Sequence, residues 1–90
     1  MILNEKQIQT NLDQVPGWEH IEGYLTKTYK FADFNASLAF VNSVGELAEE
    51  ADHHPDIVIQ YNKVNLSLRT HDEEGITSKD FNLAGKIEKL

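Results

Sequence analysis

The sequence predicts an α+β fold: an α-β-β-α-β-β-α chain whose four-stranded antiparallel sheet is covered by helices on one face. Three observations carry this. Apolar residues at helical spacing fill three capped segments, and alternating apolar runs, each broken by a short turn, fill two more. The length of 90 residues leaves room for one domain, residues 1–90, and none for a separate cofactor domain.

The elements follow in order. Asn4 caps a short first helix with Ile8 and Leu12 inward, and the stretch Val15-Pro16-Gly17-Trp18 ends it. Leu25, Tyr29 and Phe31 then recur at even spacing after Gly23, the turn of a first hairpin. From Asp33 the period becomes helical. Phe34, Leu38, Val41, Ala48 and Ala51 form one stripe, assigned to the sheet, and Phe40, Val44 and Leu47 form a second. So short a chain has few elements to cover a second stripe, which is therefore assigned to another subunit; the first and last helices are the alternative cover. Pro55 disfavours the α conformation at the residue before it, so this helix should end by about His54. Two alternating strands come next. A two-residue loop at Asn62 and Lys63 would pair Tyr61 with Val64, Ile59 with Leu66, Ile57 with Leu68 and Asp56 with Arg69. In the last helix Thr77 and Asp80 form a capping box, with Phe81, Ala84, Ile87 and Leu90 inward.

Composition excludes several functions. There is no cysteine, hence no disulfide framework, thiol catalysis or cysteine-ligated zinc. Eight Lys plus Arg against fifteen Asp plus Glu give a net charge of -7 with the basic residues scattered, which argues against direct nucleic-acid binding. No stretch matches a signal peptide or a membrane span, so the chain reads as a soluble cytoplasmic protein with no membrane partner. No G-x-S-x-G and no glycine-rich phosphate loop occur, so neither a serine nucleophile nor a nucleotide cofactor is assigned.

The chemistry-bearing residues gather near Pro55. Extended outward, the second hairpin's register sets His54 opposite His71, and Glu49 shares a helix face with His53 if the helix persists that far. Glu49, His53, His54 and His71 thus meet at one corner, with groups able to donate and accept protons. Each has a plain reading by itself: His71 as a solvated strand residue, Glu49 as part of a charged face, Asp80 as a helix cap, Tyr61 as an apolar-face residue and His20 as structural. Spacing alone leaves a proton-transfer site and a structural cluster both open; the convergence of three histidines singles the corner out. Three imidazoles and a carboxylate could in number hold zinc, but neighbouring histidines at a helix end diverge and the spacing fits no zinc motif, so no metal is assigned.

Glu49, His53, His54, Pro55, Tyr61, His71 and Asp80 stand in the order and at the spacings of a known pattern. By these residues the sequence resembles the pterin-4a-carbinolamine dehydratase family. "YNKV" from Tyr61, "FNLA" from Phe81, "FADFNASLAF" from Phe31 and Gly17-Trp18 extend the resemblance over nearly the whole chain. It implies a hydro-lyase that removes water from 4a-hydroxytetrahydropterin to give quinonoid dihydropterin, in tetrahydropterin recycling, with no metal or organic cofactor. It further implies His53 and His71 as acid-base residues with Glu49 beside them, and substrate contacts from His54, Pro55 and Asp80. A homodimer or homotetramer through the central helix and sheet edge is implied as well. One departure is Ile57, where mammalian members carry a tryptophan bordering the pterin, so aromatic stacking is lost there. Two other classes fit the resemblance: a non-enzymatic, coactivator-like protein-binding module, and a related pterin enzyme in molybdopterin metabolism.

Overall fold

The computed structural model describes residues 1–90. In chain order they form α1 (Glu5–Leu12), β1 (Glu19–Ile21), β2 (Tyr24–Lys30), α2 (Phe34–Ala51), β3 (Asp56–Gln60), β4 (Lys63–Leu68), a 3₁₀ turn (His71–Glu73) and α3 (Ser78–Glu88). The antiparallel sheet has the order β1-β2-β4-β3, so the two sequence hairpins join through β2 and β4.

Helix starts follow local chemistry. Asn4 and Gln7 satisfy each other's backbone amides in one capping box, and Thr77 and Asp80 do so in another. Asp33 accepts the Ala36 amide at the start of α2. Gly23, at φ 83°, supplies the left-handed turn between β1 and β2.

Alternation then decides which face of the sheet is wet. Leu25, Val64, Leu66 and Leu68 point into a core shared with Ile8, Trp18, Val44, Phe81, Leu83 and Ile87. Burying a leucine of this kind contributes about 1.5–3 kcal/mol. On the other face Thr26, Thr28, Asn65 and Ser67 hydrogen-bond one another across β2 and β4, Asn65 Nδ2 donating to Thr28 Oγ1 at 2.9 Å.

The second hairpin turns one residue earlier than expected. Gln60 pairs with Lys63, Ile59 with Val64, Ile57 with Leu66 and Asp56 with Ser67, so the loop is Tyr61-Asn62. The partners shift by two residues, which keeps the strand side chains from Asp56 to Gln60 on their expected faces but moves every partner. Asn62 decides the outcome: its carbonyl accepts the Phe31 amide at 2.7 Å and its Nδ2 donates to the Phe31 carbonyl at 3.1 Å, locking it beside the end of β2. Tyr61 is thereby displaced from the apolar face into a left-handed turn position, 64% exposed.

The stripes of α2 divide differently from expectation: of the sheet stripe only Ala48 and Val41 reach the core. Val44, from the stripe assigned to another subunit, is wholly enclosed with Ser37 and Ala48, and Phe40 and Leu47 pack against the core. Phe34 and Leu38, assigned to the sheet, are 45% and 37% exposed. Ser37 explains the difference: its hydroxyl donates to the Asp33 carbonyl, so a polar residue sits on the inner face and apolar periodicity misreads it. In α3, Leu83 is enclosed together with the predicted Phe81, Ala84 and Ile87, whereas Leu90 lies beyond the helix and is exposed.

A half-buried polar cluster closes the far end of α3. The Glu88 carboxylate accepts from Lys27 Nζ at 2.7 Å, from Trp18 Nε1 at 3.2 Å and from the Tyr29 hydroxyl. Burial first, and then Glu88, push the Tyr29 phenol well above its ordinary value. Burial alone would raise Glu88 too, but the bonds from Lys27, Tyr29 and Trp18 outweigh it and hold the carboxyl below its usual 4.5. A group depressed in the folded state stabilises above its unfolded pKa and loses that contribution as pH falls through the folded value. Glu88→Gln is therefore expected to cost about 1.5–3 kcal/mol at pH 7. The gap from wild type should narrow on acidification, as urea melts at neutral and strongly acidic pH would show.

Candidate active site

The site begins where α2 stops. Asp52 adopts the left-handed conformation at φ 51°, its amide donates to Glu49, and the His53 amide reaches back to the Ala48 carbonyl at 3.1 Å. This is a Schellman termination. It ends the helix at Ala51, ahead of the point set by Pro55, and turns His53 away from the face that carries Glu49. The expected Glu49–His53 neighbourhood is thus replaced by two other pairs.

His53 meets α3. Its Nε2 lies 2.6 Å from Asp80 Oδ1, and its side chain is 11% exposed against 0% for Asp80. Asp80 Oδ2 accepts from the Thr77 amide and the Thr70 hydroxyl, both at 2.9 Å. Because Thr70 gives its only hydroxyl proton to Asp80, the 2.7 Å contact between Thr70 and Thr77 has Thr77 donating. Asp80 is therefore an acceptor on every side, so Nε2 of His53 carries the proton and Nδ1 is the nitrogen left for chemistry.

His54 instead pairs through Nε2 with Glu49 Oε2, with both side chains more than half exposed. An ion pair that open contributes little to stability. The corrected register, extended outward, sets Arg69 and not His71 across from His54. His71 reaches the same corner by another route. The bridge between Thr70 and Gly75 closes a tight loop, and the 3₁₀ turn inside it presents an exposed His71 edge-on to Tyr24, 6.4 Å between ring centroids.

Asp52, His53, His54, Arg69, Thr70, His71, Asp72 and Lys79 line one cleft of about 210 Å³. The structure thus brings the three histidines together. Asp80 stands behind His53, out of reach of solvent, and Pro55 is not among the lining residues. Glu49 borders a separate groove with Val41, Gly45 and Ile57, and touches the cleft through His54. Sequence reasoning missed Arg69, Thr70 and Lys79; a turn placed at Tyr61-Asn62 would have pointed to Arg69. No three His, Asp or Glu side chains converge closely enough to hold a metal ion.

Fold and cleft define a small α+β protein with a histidine-lined cleft. Residues 1–90 match the family model described as pterin 4 alpha carbinolamine dehydratase. A Thermomicrobium roseum protein is 50% identical over 88 residues, covering 98% of this chain and 95% of its own. One from Sulfolobus acidocaldarius is 46% identical over 90 residues, covering 100% and 99%. Both bear the name pterin-4-alpha-carbinolamine dehydratase as a provisional assignment. A crystal structure from Brucella melitensis, described as a transcriptional coactivator/pterin dehydratase, superposes with TM-score 0.94 at 32% identity, covering 99% of this chain and 97% of that one. The chain belongs to the pterin-4a-carbinolamine dehydratase family. No helix is long and apolar enough to cross a membrane.

Proposed function

We propose that the protein dehydrates 4a-hydroxytetrahydropterin to quinonoid dihydropterin by histidine acid-base catalysis, as a step of tetrahydropterin recycling. The observation that carries this is the pairing of His53 with Asp80 in the cleft that also holds His54 and His71. In the reaction the C4a–OH bond breaks, a proton joins the departing hydroxyl to make water, and N5 loses its proton as the C4a=N5 bond forms. One acid and one base suffice. His53, fixed with Nδ1 as acceptor, takes the N5 proton; His71, exposed and unbonded, supplies the proton that the departing hydroxyl takes up. His54, steadied by Glu49, holds substrate, and Asp80 acts through His53. The test follows the decay of freshly generated pterin carbinolamine with and without protein. Acceleration that survives exhaustive chelation supports the reading. No acceleration overturns it, and loss on chelation with return on adding zinc replaces it with a metal mechanism.

The oligomer belongs to the same proposal. Phe34 and Leu38, uncovered on α2, are the apolar surface for a second copy. Light scattering at micromolar concentration is expected to give at least a dimer, which Leu38→Asp should weaken without unfolding the chain; a wild-type monomer would refute this.

A further inference from the structure

The chain carries fifteen Asp plus Glu against eight Lys plus Arg, so a half-buried cation with no acidic partner is out of place. Arg69 is one. It joins none of the ion pairs, which link Met1 to Glu73, His20 to Glu5, Lys27 to Glu88, His53 to Asp80 and His54 to Glu49. Its one protein acceptor is the Gly23 carbonyl, 3.4 Å from Nη1. Its Cζ stands 5.7 Å from the centroid of the Tyr24 ring, which supports the guanidinium, and that ring in turn meets His71. Gly23 makes the approach possible, since a Cβ there would fall 2.6 Å from Nη1. The result is a planar donor group held on the cleft wall beside His71, with N–H groups to spare.

We propose that Arg69 is a substrate-binding residue that donates to the oxo group on the pyrimidinone edge of the pteridine ring. This rests on the dehydratase reading above. The oxo-bearing carbon is bonded directly to C4a, so a substrate whose C4a faces His71 carries its oxo oxygen close by, within reach of the cleft wall that Arg69 lines. The chemistry matches as well: the oxo group has lone pairs and no proton, and guanidinium has only donors. Arginine reads the oxo edge of guanine, a ring of the same donor and acceptor pattern, in this way.

The test pairs binding with kinetics. Calorimetry measures 2-amino-4-oxopteridine and 2,4-diaminopteridine, in which a donor replaces the oxo acceptor, against wild type, Arg69→Met and Arg69→Lys, alongside steady-state dehydration. Wild type is expected to prefer the oxo compound roughly 10- to 100-fold, the range of a hydrogen bond to a charged group. Arg69→Met should abolish that preference and raise KM by a similar factor with kcat little changed. Arg69→Lys, a point charge without the planar fork, should restore only a small part of it, and gives the same reading if the Met variant fails to fold. A variant that keeps the preference and the KM overturns the assignment. Wild type that dehydrates the carbinolamine yet shows no preference overturns Arg69 alone, whereas wild type that neither binds nor dehydrates overturns the dehydratase reading and this inference with it.

Discussion

Replacing His53 by Ala is expected to lower the maximal rate of carbinolamine dehydration by roughly 10² to 10⁴, the usual contribution of a positioned acid or base. The ring is almost enclosed and tied to Asp80 at 2.6 Å, so its orientation is fixed before substrate arrives. The same substitution removes a donor from a buried carboxylate and should cost about 1–3 kcal/mol of stability. Kinetics must therefore be read at a temperature where melts show the variant folded. His71→Ala is the companion measurement. That ring is exposed, and only the edge-on contact with Tyr24 holds it, so its loss should slow the reaction within the same range while changing stability by less than about 0.5 kcal/mol. A rate loss in both variants with a stability loss in one separates chemistry from scaffolding. Full activity in both would remove the acid-base assignment.

What the sequence shows and hides here has a physical pattern. Helix starts are legible because a cap is a contact between residues three apart, as with Asn4 and Gln7 or Thr77 and Asp80. Sheet faces are legible because alternation survives any even shift of register. Register is not, because the turn was decided by Asn62 bonding to Phe31, thirty-one positions away. The inner stripe of α2 is obscured by Ser37, whose hydroxyl is satisfied inside its own helix and so costs little to bury. At the site, the residue types and their corner were legible from the motif, but the pairings were not. A left-handed Asp52 rotates His53 from Glu49 toward Asp80, and no hydropathy or spacing rule signals that a non-glycine residue will take that conformation. Cap and histidine partner are then one residue: Asp80 reads as a helix start because it is one, and its other oxygen is free to hold His53.

That double contact gives Asp80 a large expected effect on stability and rate alike. Asp80→Ala leaves the Thr70 hydroxyl, the Thr77 amide and His53 Nε2 without their acceptor, and removes a negative charge from the first turn of α3. The expected cost is about 3–5 kcal/mol, a large part of the roughly 5–15 kcal/mol that holds a domain together. Asp80→Asn separates the two roles. Its amide oxygen can still accept from Thr70 and Thr77, so most of the stability should remain. Its amide nitrogen then faces His53 and can only donate, which forces the imidazole proton onto Nδ1 and turns the nitrogen left for chemistry from acceptor to donor. The rate should fall by roughly 10² or more, since a reversed tautomer disables a base without moving it. Urea melts and steady-state kinetics on the two variants, with ¹⁵N NMR of the His53 ring as the direct readout of its tautomer, decide the matter. If Asp80→Asn dehydrates at the wild-type rate with the tautomer reversed, Nδ1 of His53 is not the base and Asp80 serves α3 alone.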